Sequence, residues 1–238
     1  MKRIRLFCLP YAGGSAMLYT RWKKFLHDSI ELYPVELAGR GSRSKEPFYN
    51  SVNDAVDDIY NSIEETLDDT EFAFFGHSMG SVLVYELMYK IKELKNRIPI
   101  HAFFSGRYPP HIKRLDKIFH KMPKEEFIDE IYKIGGMQKE FFEHKELLDI
   151  FVPIIKADYK IIEEYNHVPK LEKFNIDITV FNGAQDKDVT PDDLKEWHSI
   201  TNKACDVIEF EGGHFFILSK HEEIVEVVNR KTLYFREL

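Results

Sequence analysis

Residues 73–90 read AFFGHSMGSVLVYELMYK: an apolar run reaches Gly76, Ser78 follows two residues later, Gly80 two after that, and the spacing then turns helical. A serine between glycines at a strand-to-helix corner sits in a strained backbone, and its flanking positions must lack bulk because strand and helix approach closely. The strain aims the hydroxyl over the strand end, beside the free N–H groups of the helix N-terminus, which favour developing negative charge. That hydroxyl is a poor nucleophile until a base takes its proton. Ten histidines are available, and His214 in EFEGGHFFIL stands out because it directly follows a strand-like run and two glycines, where a loop can reach back over a sheet edge. His77 adjoins Ser78 in the chain, but its side chain leaves the corner in another direction, which fits a supporting role.

A histidine base needs an acid to fix its tautomer and stabilise the imidazolium, and in a fold of this kind that acid lies between serine and histidine in chain order. The segment NGAQDKD at 182–188 offers Asp186 and Asp188. Asp186 is preferred as the first carboxylate after the glycine turn, leaving Asp188 at the surface or at the start of the helix ahead of Thr190-Pro191. Acyl transfer also requires two donors for an oxyanion. Met79 supplies one backbone N–H by position, and the loop Pro10-Tyr11-Ala12-Gly13-Gly14 supplies the other from Tyr11 or Ala12.

The elements that must carry these groups follow from periodicity. Strand-like runs occur at 4–9, 31–36, 72–75, 98–104, 176–181 and 205–210. Between them lie helical patterns, led by Leu18, Trp22, Phe25 and Leu26 and by the amphipathic set from Val52 to Leu67, with Ser51 and Asp54 placed as a capping pair. This alternation predicts an α/β fold with a mostly parallel, doubly wound sheet. One segment departs from it. From about 107 to 168 only helical patterns appear, MPKEEFIDEIYKI and ELLDIFVPIIKADYKIIEEY, with GGM at 135–137 between them. They are expected to form a helical lid inserted in a single domain spanning 1–238, over the sheet edge where such folds keep their sites.

Composition narrows the partners. A net charge of −7 with both signs interspersed and no basic block argues against nucleic acid. No window reaches the ~18 unbroken apolar residues of a membrane span. The opening KRIRLFCLPYAGG is too quickly interrupted to be a secretory signal, so a cytoplasmic location is expected. Cys8 and Cys205 have no CxxC or Cys/His spacing and are expected to be buried thiols, outside any disulfide or metal site.

LPYAGGSA at 9–16, VELAGRGSR at 35–43, FFGHSMGSVLVYEL at 74–87, VPIIKADYKIIEEY at 152–165 and EGGHFFI at 211–217 together resemble the type II, or editing, thioesterases that accompany nonribosomal peptide and polyketide synthetases. The resemblance runs in order along nearly the whole chain, with Leu9 in place of the commoner phenylalanine and a less typical acid loop. It implies an α/β-hydrolase fold, a Ser78–His214–Asp186 triad and no metal or redox cofactor. The implied partners are acyl or peptidyl carrier-protein domains, whose phosphopantetheine arm would reach an apolar acyl pocket under the lid of a monomeric enzyme. A general carboxylesterase and an acyltransferase share the same machinery. A catalytically silent synthetase-binding protein is disfavoured because serine and histidine are both retained. Arg40 and Arg43 are left out of the site: each could meet a carrier's phosphate, but Arg40 could equally hold its own loop through carbonyl hydrogen bonds.

Overall fold

The computed structural model describes residues 3–67, 70–114, 117–135 and 144–234. Six strands, β1 (Ile4–Leu9), β2 (Ile30–Pro34), β3 (Phe72–His77), β4 (His101–Ser105), β5 (Ile178–Gly183) and β6 (Cys205–Phe210), form one sheet in the order β2-β1-β3-β4-β5-β6. Every neighbouring pair is parallel. All six match predicted runs, β1 and β6 with the same bounds and the other four with shifted ends. The expected strand at 98–104 begins later, after Pro99, whose missing N–H cannot join a ladder. β3 continues past Phe75 to His77, which brings the sheet up to the serine corner.

Seven α-helices are described: α1 (Val52–Ile63), α2 (Met79–Lys95), α3 (Lys124–Ile134), α4 (Lys145–Glu163), α5 (Pro191–Glu196), α6 (Phe216–Ser219) and α7 (His221–Tyr234). The first predicted helix is instead a 3-10 helix, Ala16–Lys24. Strand side chains alternate faces, so Phe72 and Phe74 of β3 join α1 and α2 in one core, while Ala73 and Phe75 join Tyr19, Trp22 and α7 in another. A central strand sandwiched this way is apolar on both sides, which explains the unbroken FAFF run. Ser51 caps α1 as expected, accepting the Asp54 N–H at 3.0 Å.

The helical insertion lies between β4 and β5, where the alternation failed. Phe127 and Ile131 of α3 pack with Val152 and Ile155 of α4 in a small core of their own. Gly136 and Met137 of the expected turn between them lie outside the described residues. Both cysteines are free and buried, and burial pushes both thiols up, that of Cys205 to about 12. Among the described residues no helix is long and apolar enough to cross a membrane.

One buried imidazole sets an acid limit on this fold. His101 of β4, 4% exposed, meets the Thr179 hydroxyl at 2.9 Å, and burial lowers its pKa from the ordinary 6.5 to about 4. Between those values the unfolded chain binds more protons than the native one, so this contribution is complete above 6.5 and is lost as pH falls toward 4. Its full size is about 3 kcal/mol. His101→Gln, which keeps a hydrogen-bonding group near Thr179 without titrating, should flatten the decline of the urea midpoint between pH 7 and pH 4.

Candidate active site

At the end of β3 the chain turns through Ser78 with φ 53° and ψ −112°, a left-handed backbone that a non-glycine residue adopts only under constraint. The adjacent glycines show what enforces it. A Cβ on Gly76 would stand 2.3 Å from the Gly80 carbonyl oxygen, and one on Gly80 would stand 2.3 Å from that of Leu9. Strand β3, helix α2 and the end of β1 therefore touch backbone to backbone. The Ser78 N–H donates to the Ser105 carbonyl at 2.7 Å, and Ser81 Oγ donates to Gly76 O at 2.8 Å. The predicted corner is thus tied down from β4 and from α2.

His214 and Asp186 arrive on loops stitched to each other. Ala184 N–H donates to Phe210 O at 2.8 Å and Gln185 N–H to Gly212 O at 2.9 Å. A Cβ on Gly183 would meet the Gly213 carbonyl oxygen at 2.4 Å, so this glycine is required by the close packing of the two loops. The result is a 2.8 Å bond from His214 Nδ1–H to Asp186 Oδ2, with the aspartate side chain 2% exposed and the imidazole 15%. Donation from Nδ1 leaves Nε2 as the acceptor nitrogen, the tautomer a base requires. Asp188 is exposed, and its backbone N–H donates to Asp186 Oδ1 at 3.0 Å, so it orients the buried carboxylate through its main chain.

His77 is fully buried and holds the base from behind. Its Nε2–H donates to the His214 carbonyl at 3.1 Å, while Nδ1 accepts from the Ser105 hydroxyl at 2.8 Å. Burial, reinforced by the neighbouring His214, keeps it well below the usual imidazole range and therefore neutral.

Ser78, Met79, Ala12 and His214 line one cavity of about 620 Å³. Among the described hydrogen bonds none comes from Ser78 Oγ; such bonds often tighten only with substrate in place. Met79 begins α2, with its N–H at the free helix end. In the PYAGG loop Gly14 N–H donates to Tyr11 O at 2.8 Å, and Gly13 takes the positive φ of 81° that this tight turn requires. Tyr11 and Ala12 separate here. The Tyr11 ring packs edge-on against His77 and Phe215, at centroid distances of 5.8 and 5.0 Å, whereas Ala12 faces the cavity.

The cavity walls are less uniformly apolar than the resemblance implied. Val82, Val189, Phe119 and Ile162 contribute, but so do Arg107, Lys113, Lys117 and Lys187. Lys113, Lys117 and Lys187 are exposed, as expected of long chains that cover apolar surface with their stems and keep their charge in water. Neither Arg40 nor Arg43 is among the residues that line this cavity. Arg43 pairs with Asp58, at 2.7 and 2.8 Å, and with Glu46. Arg40 is buried against Asp158 of α4 and donates to Gly14 O at 3.1 Å. A carbonyl bond within its own loop was the expected alternative to phosphate binding, but the carbonyl it meets belongs to the PYAGG turn, and its ion-pair partner Asp158 comes from a segment that the sequence does not connect with it.

Among the described residues no group of three or more His, Cys, Asp or Glu is arranged to hold a metal ion. A family model described as a thioesterase domain matches residues 4–232. The gramicidin S biosynthesis protein GrsT of Aneurinibacillus migulanus is 33% identical over 94% of this chain and 87% of its own length. Among solved structures, ClbQ from the colibactin NRPS/PKS pathway superposes with a TM-score of 0.95 at 37% identity, over 99% of both chains. The type II thioesterase BorB from the borrelidin biosynthetic cluster gives 0.88 at 26% identity, over 97% of this chain and 93% of its own. An elbow serine after β3, a histidine–aspartate pair beyond the ends of β5 and β6, and a match running from β1 into α7 lead to one conclusion: the chain belongs to the thioesterase family, hydrolases of the α/β-hydrolase fold that act on thioester bonds.

Proposed function

We propose that this thioesterase clears acyl groups from the phosphopantetheine arms of carrier-protein domains of a peptide or polyketide synthetase, acting as a discrete cytoplasmic monomer. The observation that carries the reading is the 2.8 Å His214–Asp186 bond on the wall of the same cavity as a serine in a left-handed backbone. The relatives GrsT, ClbQ and BorB, named for biosynthetic pathways, support the choice of carrier-bound substrate.

In the proposed reaction His214 Nε2 takes the Ser78 proton as Oγ attacks the thioester carbonyl. The oxyanion is held by the Met79 N–H and by a second N–H from the Tyr11–Ala12 segment, where the exposure of Ala12 to the cavity favours Ala12. The imidazolium, stabilised by Asp186, returns its proton to the departing pantetheine thiolate. Water, deprotonated by the same nitrogen, then attacks the acyl-serine, and collapse releases the acid and restores the hydroxyl. Every proton and electron pair moves between groups of the chain, the substrate and water, so the scheme calls for no metal or redox cofactor. The helices α3 and α4 serve as the lid over the acyl chain.

Incubation with carrier proteins bearing different acyl groups, read by mass spectrometry of the arm, should show release of free acid. A strong preference for a p-nitrophenyl ester over the acylated carrier would favour a general esterase, and transfer to an added alcohol or amine an acyltransferase. Ser78→Ala should lower turnover at least about 10³-fold while the melting temperature stays near that of the parent, since a partly exposed hydroxyl adds little to the core. Asp186→Asn should cost about 10³-fold or more in kcat through the wrong imidazole tautomer. Asp188→Asn, which keeps the backbone donor, should stay within about threefold, and the reverse order would reassign the acid.

A further inference from the structure

Two conspicuous segments, VELAGRGSR and KADY, have no part in the proposed chemistry, yet they meet in the interior. Arg40 and Asp158 are 4% and 3% exposed at their side chains and joined by two parallel bonds, NH1 to Oδ2 at 2.5 Å and NH2 to Oδ1 at 2.6 Å. A buried ion pair contributes little net stability because desolvation offsets the attraction, so its retention calls for another account. The remaining bonds of the pair supply one. Asp158 Oδ2 also accepts the Gly13 N–H at 2.7 Å, and Arg40 NH1 also donates to the Gly14 carbonyl at 3.1 Å. Both partners therefore grip consecutive residues of the PYAGG turn.

The helix that carries Asp158 presses on the same turn. A Cβ on Gly13 would stand 2.5 Å from Ile155 Cγ1, and Ile155 lies one turn before Asp158 on α4. The turn is thus held by contact with the side chain of one α4 residue and by a hydrogen bond to that of another. Occupation of the Gly13 N–H by the carboxylate takes it out of any oxyanion hole and fixes the peptide plane next to Ala12. From these contacts we infer that the Arg40–Asp158 pair is a positioning clamp for the oxyanion turn, so that the second donor is set in place only when α4 is seated. This rests on the assignment of Ser78 as nucleophile and of the turn as donor, and adds the residues that position that donor.

A clamp of this kind acts on the tetrahedral state and leaves ground-state binding of the acyl chain nearly untouched. The test uses the full-length enzyme, hexanoyl-pantetheine as substrate and hexylboronic acid, whose tetrahedral adduct on Ser78 places an oxygen in the hole. Arg40→Lys keeps the charge but cannot span both carboxylate oxygens and Gly14 O at once; it should lower kcat about tenfold, leave KM within about twofold and weaken the boronate by the same factor as kcat. The double variant Arg40→Met/Asp158→Leu replaces the pair by apolar groups of similar volume; it should stay folded, melting somewhat below the parent because the Gly13 N–H and Gly14 carbonyl lose their partners, and lose about 100-fold in kcat. A folded double variant with parental kcat and boronate affinity would reduce the pair to packing. A rise in KM at constant kcat in the folded variants would make α4 an acyl-binding wall alone. Ser78→Ala, run alongside, separates the two ideas: turnover retained there defeats the nucleophile assignment, whereas an inactive Ser78→Ala beside fully active clamp variants defeats only the clamp.

Discussion

The site depends first on how closely three stretches of main chain can approach. Strand β3 ends against the start of α2, and α2 begins against the end of β1, with so little room that a methyl group at Gly76 or Gly80 would lie 2.3 Å from a carbonyl oxygen. Ser78 is held between them in a conformation that costs of order 1–3 kcal/mol, a strain that the surrounding bonds must overdetermine. Those bonds come from Ser105 and Ser81, which fasten the corner to β4 and to the first turn of α2. The central place of β3, between β1 and β4, lets the oxyanion turn approach from one side and the end of β4 support the corner from the other.

The histidine and its acid reach this corner by a different device. Their loops leave adjacent parallel strands, β5 and β6, and join through backbone bonds before either side chain is placed. The Asp186–His214 geometry is therefore set mainly at two neighbouring strand ends, although Arg114 of the helical insertion reaches the acid loop and donates to the Asp188 carbonyl at 3.1 Å. The oxyanion turn is the opposite case, since α4 packs on it directly. One part of the site is built into the sheet, and the other is completed by a helix that also lines the cavity.

This division matches what could be read from the chain alone. The six strands and the serine corner were legible because β3 is an uninterrupted apolar run and because glycines two residues either side of a serine mark a strand-to-helix corner, although the clash that requires Gly80 comes from Leu9 and Pro10 at the distant end of β1. His214 was legible by its position after β6, and Asp186 by its position after the Gly183 turn. The donor could be narrowed only to Tyr11 or Ala12, because which of the two faces the cavity depends on where the Tyr11 ring packs, against His77 and Phe215 from distant segments. Arg40 and Asp158 lie 118 residues apart, and no local pattern distinguishes a buried ion pair from two solvated charges until the fold joins them. The mixed character of the cavity was hidden for a related reason: Lys113, Lys117 and Lys187 lie outside the helices, and only the fold brings them to the border of the pocket that the resemblance implied.

The two adjacent imidazoles, 5.3 Å apart between ring centres, carry a final consequence. When His214 gains a proton in the proposed reaction, the ring beside it is already committed at both nitrogens, giving one hydrogen to a carbonyl and taking one from a hydroxyl. Burial and the neighbouring charge both keep it from taking a second proton, so it presents no competing positive charge. The transient imidazolium thus lies between a ring held neutral and the buried carboxylate of Asp186, so the charge it gains meets attraction from one neighbour and no repulsion from the other.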